Sequence, residues 1–247
     1  MVENENTIIL DTSTAHRTEA GWAYGYPELS AAHREAIRTG KRIAVPGCYA
    51  TGFITTAYAL TAGGILPKDY PVSAFAVSGY SGGGKKMIAQ YQAQDKEKEL
   101  SSARLYALSQ SHKHLKEMKA ISGLERTPLF SPMVTDYYSG MTVSLTFYAD
   151  MLNGRQTPET VREYLAKHYA GEKFITVQPL GAEAESGGVL FSSARSGWDG
   201  LEIYVTGNED RIMVTTRFDN LGKGASGAAI QCMNIVLGCE EDKGLTV

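Results

Sequence analysis

Cys48 follows Pro46-Gly47 and opens an apolar, helix-permissive run that ends at Gly63-Gly64. A thiol at the first turn of a helix sits at the positive end of the helix dipole, which favours the nucleophilic thiolate. The unpaired N–H groups of that turn can also stabilise an oxyanion formed when sulfur attacks a carbonyl. Such chemistry needs an acid–base partner, and imidazole titrates near neutral pH. His112-Lys113-His114 supplies two candidates. Glu117 lies three residues past His114; on a helix the two would share a face, so the carboxylate could orient the ring. The same spacing resembles a metal site, but no third or fourth ligand lies nearby in sequence, and no metal is assigned. Arg17, in a loop after a short strand, could clamp a carboxylate or phosphate in bidentate fashion, and a plain surface arginine is an equal reading. Cys232 and Cys239 lie in or just past an apolar helix and read as packing residues. His33 and His168 receive no role.

Glycine is the one compositional excess, 26 of 247 residues. The stretch Gly79-Tyr80-Ser81-Gly82-Gly83-Gly84-Lys85-Lys86 imitates a phosphate loop, yet Lys86 stands where a hydroxyl must bind Mg²⁺. A glycine-rich turn between strand and helix can still offer N–H groups to an anion. Gly222-Lys223-Gly224-Ala225-Ser226-Gly227 matches the dinucleotide fingerprint, but the chain ends at Val247, too soon for the second strand that motif requires. Its lysine could still approach a phosphate or a cofactor ring; a tight strand-to-helix turn is the plain alternative.

The elements that would position these residues read as short strands at 7–10 and 42–45, with helices at 27–39 and 48–62. A strand at 72–77 feeds the first glycine loop, and a helix at 87–100 ends in a mixed-charge run read as its solvated face. Residues 142–147 alternate polar and apolar, as a sheet with one wet face does. Thr157-Pro158 opens a helix, strands at 201–206 and 211–218 flank a hairpin turn, and a last helix covers 225–237. Residues 181–200 read as a flexible loop. There is no internal repeat. The formal charge of −3 lacks the basic bias of a nucleic-acid binder. No apolar run reaches the ~20 residues of a membrane span. Residues 1–6 lack the plan of a signal peptide, and three cysteines make no disulfide framework, so a reducing cytoplasm is expected.

Four motifs occur in order: Val45-Pro46-Gly47-Cys48-Tyr49-Ala50-Thr51, the run from Ala76 to Lys85, Ser111-His112-Lys113-His114, and the run from Asp219 to Ala229. With the opening Leu10-Asp11-Thr12-Ser13-Thr14-Ala15-His16-Arg17 and Gly21-Trp22-Ala23-Tyr24-Gly25, they resemble N-acetyl-gamma-glutamyl-phosphate reductases, particularly the shorter type 2 form, over nearly the whole chain. The resemblance implies a cytoplasmic, homo-oligomeric enzyme of arginine biosynthesis that takes a small-molecule substrate and no nucleic acid or membrane. It would interconvert N-acetylglutamyl 5-phosphate and N-acetylglutamate 5-semialdehyde with NADP. The implied fold is α/β plus α+β: a partial Rossmann-type domain lacking its N-terminal strands, and a glyceraldehyde-3-phosphate-dehydrogenase-like catalytic domain. Residues 1–47 would be the remnant of the nucleotide-binding domain, 48–222 the catalytic domain, and 223–247 a C-terminal helix packing back on the former.

In that resemblance Cys48 is the nucleophile that forms a thioester, and His114, in preference to His112, is the acid–base group. Ser78, Gly79, Ser81 and Gly82 of the first glycine loop, with Asn220, Gly222 and Lys223 of the second, fall near the nicotinamide. Arg17, His112 and Glu117 are left to contact substrate. Family members carry a strand and a glycine-rich phosphate turn ahead of the Asp-x-Ser strand. Here Met1 stands just before it, so the chain reads as an N-terminally truncated reductase, expected to bind NADPH weakly or not at all and to be inactive alone. Two other readings stay open: an inactive or partner-dependent remnant, and a cofactor-free cysteine hydrolase or acyltransferase using Cys48 and His114.

Overall fold

The computed structural model describes Asn4 and residues 6–247, so the leader-free reading of residues 1–6 falls largely outside it. The chain begins β1 (Ile9–Asp11), β2 (Ala23–Tyr24), α1 (Ala31–Thr39), β3 (Arg42–Ala44), α2 (Cys48–Ala62), β4 (Ser73–Gly79), α3 (Gly84–Gln92) and β5 (Arg104–Leu105). It continues α4 (Leu115–Ser122), β6 (Leu129–Thr135), β7 (Met141–Tyr148), α5 (Pro158–His168), β8 (Ile175–Val177), β9 (Leu201–Gly207), β10 (Arg211–Phe218) and α6 (Gly227–Val236).

The first three strands form a small parallel sheet in the order β1-β3-β2. Parallel strands must be covered on their faces. Here α1 and the returning α6 do so, burying Ile37, Ile43, Cys232 and Ile235 in one small core. Ser30 starts α1 by accepting the His33 N–H on its hydroxyl. The remaining strands form a seven-stranded mixed sheet, β5-β6-β4-β7-β10-β9-β8. This is the α/β plus α+β combination expected of a partial Rossmann unit joined to a dehydrogenase-type catalytic fold.

The large core lies between that sheet and α2. The helix is apolar nearly all round, and Ala50, Phe53, Ile54, Ala57 and Leu60 are completely buried; a fully buried Phe or Ile stabilises by roughly 1.5–3 kcal/mol. Gly52 lets α2 approach the sheet, since a Cβ there would lie 2.6 Å from Thr216 Oγ1 and 2.7 Å from Val143 Cγ2. α5 opens as its sequence dictates, with Thr157 and Thr160 exchanging hydrogen bonds in a capping box and Pro158 in the first turn.

Four expectations need correction. The helix predicted over 87–100 is α3, which starts at Gly84 and ends at Gln92 because Ala93 turns extended. The Asp95–Glu99 charges lie in a loop and a 3-10 turn, where Lys96 Nζ meets Asp136 at 2.6 Å. The polar face of β7 is wet only toward its end: Thr142 and Ser144 are buried, with Ser144 bonding the Thr215 hydroxyl at 2.8 Å, whereas Thr146 and Tyr148 are exposed. Residues 181–200 are irregular but tied down: Ser192 meets the Tyr137 hydroxyl at 2.6 Å, Ser196 bonds Ser139, and Arg195 reaches the buried Glu202. The last helix is shortened by a π-helical turn, Gly222–Ser226. Among the described residues no helix is long and apolar enough to cross a membrane.

Candidate active site

The starts of α2, α3 and α4 converge with the π turn on one cavity of about 320 Å³. Its lining includes Cys48, His112, His114, Arg17, Ser78, Gly79, Ser81, Gly82 and Asn220. Nine of the twelve residues singled out in the sequence, from segments up to two hundred residues apart, thus share one wall. Gly222, Lys223 and Glu117 do not.

Cys48 is the first residue of α2, with extended Gly47 as its cap. Its thiol is nevertheless pushed up to about 11, chiefly by burial. The Tyr49 N–H and the charges of Arg17 and Lys113 oppose that rise without overcoming it. The helix start therefore does not hold a resting thiolate, contrary to the expectation, because enclosure outweighs the dipole.

His114 caps α4 and is 4% exposed. A methyl group at Gly47 would overlap both His114 Nε2 and Arg17 Nη1, so the imidazole and guanidinium flank the residue before the thiol. Burial, then His112, Arg17 and Lys113, push the His114 pKa far down, so the resting ring is neutral and its protonated form is disfavoured. His114 Nδ1 has no partner among the described residues. His112 is pushed down to about 4 by burial and Lys113, and its Nδ1 accepts the His114 N–H at 3.2 Å.

Glu117 neither orients the His114 ring nor lines the cavity. Its carboxylate, 2% exposed, accepts the Gly47 N–H at 3.0 Å and the Tyr24 hydroxyl at 2.8 Å on Oε1, and Arg17 Nη1 at 3.0 Å on Oε2. Those three donors occupy it. Arg17 also donates from Nε to Val45 O at 2.9 Å and from Nη2 to Thr12 O at 2.8 Å. Of the five guanidinium N–H groups, three are thereby engaged and two remain.

Asn220 ties the opposite wall together, donating to Ser81 Oγ at 2.9 Å and accepting the Gly140 N–H at 2.8 Å. Lys223, expected beside a cofactor ring, turns away from the cavity. It is 1% exposed, donates to Glu28 Oε1 and Gln231 Oε1 at 2.6 Å each, and lies over the Tyr26 and Phe174 rings. Gly222 is packed against the Trp198 carbonyl, where a Cβ would lie at 2.5 Å. Gly224 and Ala225 take their place on the wall, and a Cβ on Gly224 would stand 2.9 Å from that of Cys48.

Sequence reasoning missed Lys113, Thr12, Tyr106 and Tyr24. Lys113 stood inside the histidine motif and lines the cavity. Thr12 and Tyr24 stood in motifs already singled out, without a role. For Tyr106 there was no signal.

Residues 48–220 match the family described as semialdehyde dehydrogenase, dimerisation domain. An N-acetyl-gamma-glutamyl-phosphate reductase 2 from Nostoc sp. is 40% identical over 99% of this chain and 79% of its own length. The N-acetyl-gamma-glutamyl-phosphate reductase of Brucella ovis is 43% identical over 96% of this chain and 78% of its own. Among solved structures, aspartate semialdehyde dehydrogenase from Francisella tularensis superposes with a TM-score of 0.71 at 14% identity, over 93% of this chain and 74% of that one. At that identity the likeness speaks for the fold alone. The sequence relatives carry the finer assignment: the chain belongs to the N-acetyl-gamma-glutamyl-phosphate reductase family of semialdehyde dehydrogenases.

Proposed function

We propose that this protein reduces N-acetylglutamyl 5-phosphate to N-acetylglutamate 5-semialdehyde through a Cys48 thioester, as a step of arginine biosynthesis. The observation that carries the reading is the single cavity that joins a thiol at a helix start, a neutral buried imidazole and a fixed guanidinium beside the same glycine. In the first half-reaction His114 takes the thiol proton as sulfur attacks the acyl carbonyl. A protonated thiol needs a base, and the His114 ring beside Gly47 is the one in place; burial disfavours its imidazolium, and the negative charge of a bound acyl phosphate would offset that. The positive end of α2 favours the charge that builds on the carbonyl oxygen. The two remaining Arg17 N–H groups receive the phosphoryl group, which leaves as the C–O bond breaks and the thioester forms.

The glycine wall fits the ring end of NADP. Gly84 has a left-handed φ of 73° with open space where a Cβ would stand, and Ser81 is braced by Asn220, so a flat amide-bearing ring can lie close to Cys48. Ser78, Gly79, Ser81, Gly82 and Asn220 would hold it. When bound there, NADPH supplies a hydride to the thioester carbonyl. His114 then returns its proton to the resulting alkoxide, and the thiohemiacetal collapses to aldehyde and thiol. The exposed Phe75, Leu129 and Tyr148 side chains on the sheet face opposite α2 support assembly with a second copy.

The test follows nicotinamide absorbance with N-acetylglutamate 5-semialdehyde, inorganic phosphate and NADP⁺. Reduction that disappears in Cys48→Ser is expected. Acyl-phosphate hydrolysis by Cys48 with no nicotinamide turnover would instead make the protein a hydrolase.

A further inference from the structure

The Glu117 carboxylate joins three separate parts of the cavity frame. It holds the N–H of Gly47 immediately before Cys48, the Tyr24 hydroxyl at the end of β2, and Arg17 in the loop after β1. It is carried by α4, the helix that His114 caps. Burying a carboxylate is costly unless donors meet it, and an apolar contact can serve packing alone at less cost. Glu117 therefore does something that packing does not require. Arg17 is the partner on which that effect falls. Its planar guanidinium is fixed at three nitrogens, by Val45 O, Thr12 O and Glu117 Oε2. A planar fork fixed at three points has its remaining N–H directions fixed as well. Nη1, the nitrogen held by Glu117, is also the one that stands against Gly47.

Resting on the acyl-phosphate reading above, we propose that Glu117 is a positioning residue: it locks the Arg17 guanidinium beside the start of α2, so that its free N–H groups receive the phosphoryl group attached to the carbon that Cys48 attacks. Simple electrostatics and positioning give opposite signs. Glu117 is a negative charge close to an anion site, and removing it should tighten anion binding if charge were all that mattered. If position matters, removing it weakens anion binding.

The experiment measures alkylation of Cys48 by iodoacetamide at mildly alkaline pH in the full chain, read by peptide mass spectrometry, against rising inorganic phosphate. In the unsubstituted protein phosphate slows the labelling. Glu117→Gln keeps an acceptor for Gly47 and Tyr24 but sets an NH₂ against Arg17 Nη1. The phosphate concentration for half-protection should then rise about tenfold or more, the scale of one lost charge-assisted hydrogen bond. Glu117→Asp keeps the charge and withdraws it, and should weaken protection likewise; it carries the test if the Gln variant does not fold. Protection at unchanged or lower phosphate in either folded variant overturns the role of Glu117 and leaves the acyl-phosphate reading standing. Absence of protection in the unsubstituted protein overturns both.

Discussion

Replacing Lys223 with methionine isolates the energetics of the π turn that forms one wall of the cavity. The ammonium is 1% exposed and bonded at 2.6 Å to Glu28, which is itself 2% exposed. Lys223→Met keeps most of the side-chain volume and leaves the Glu28 carboxylate buried without its cation. Gln231 Nε2 still donates to Glu28 Oε1, whereas Oε2 already lacks a partner among the described residues. Breaking a buried pair from one side typically costs about 3–5 kcal/mol. Loss of the cation over Tyr26 and Phe174 acts in the same direction. In a chain of this size each kcal/mol moves Tm by ~2–4 °C, so the melting point should fall by about 6–20 °C. The double variant Lys223→Met, Glu28→Gln removes both charges and should recover most of that loss, since neutral replacement of a buried pair is often nearly neutral in energy. Calorimetric melts of the two variants and the parent decide the matter. If the single and double variants melt together, or if the single variant melts with the parent, the ion pair is not what anchors the turn.

Four further outcomes follow from the geometry. Alkylation of Cys48 should rise about tenfold per pH unit from about pH 7 to 9, because a thiol near 11 is mostly protonated throughout; a plateau near neutrality would show a resting thiolate. His114→Asn should lower kcat by ~10²–10⁴ and His112→Asn by much less, because His114 Nε2 is the nitrogen beside Gly47; the reverse order in steady-state assays would exchange their roles. Gly47→Ala should cost about 10² in kcat/KM, the scale of an ångström-size misplacement, since its methyl meets both His114 and Arg17. Both cavity histidines have folded pKa values below the unfolded ~6.5, so the unfolded chain binds more protons under that pH and stability falls as pH drops through it. Melts between about pH 7 and 5 should show that fall, and His114→Asn should flatten it; an equal slope in the variant would contradict the buried, neutral ring.

What could be read in the sequence divides along locality. α2 was legible residue for residue because Pro46-Gly47 stops a strand, Gly63-Gly64 ends a helix, and everything between is apolar. α5 was legible from Thr157-Pro158 for the same reason: the signal and the structure lie within one turn. The large sheet was not. That β4 pairs in parallel with β6 and antiparallel with β7 depends on contacts across more than fifty residues, which alternation along one strand does not encode. The site divides in the same way. Local signals placed Cys48 at a helix start and the family resemblance paired it with His114, but the thiol's pKa is set by enclosure from distant segments, and enclosure reversed the sign that the helix dipole alone predicts. Lys223 sat in a motif whose text suggests a ligand, yet the π turn carries its ammonium inward to Glu28, nearly two hundred residues away. Glu117 is the clearest case. Its distance from His114 in sequence put the two at one end of one helix, as α4 does. Its partners are Arg17, Tyr24 and Gly47, at least seventy residues upstream, and competition among those three donors, not the i,i+3 spacing, decides where the carboxylate points. A residue that joins distant segments can be recognised as such only once the chain has folded, because its partners lie in the segments it joins.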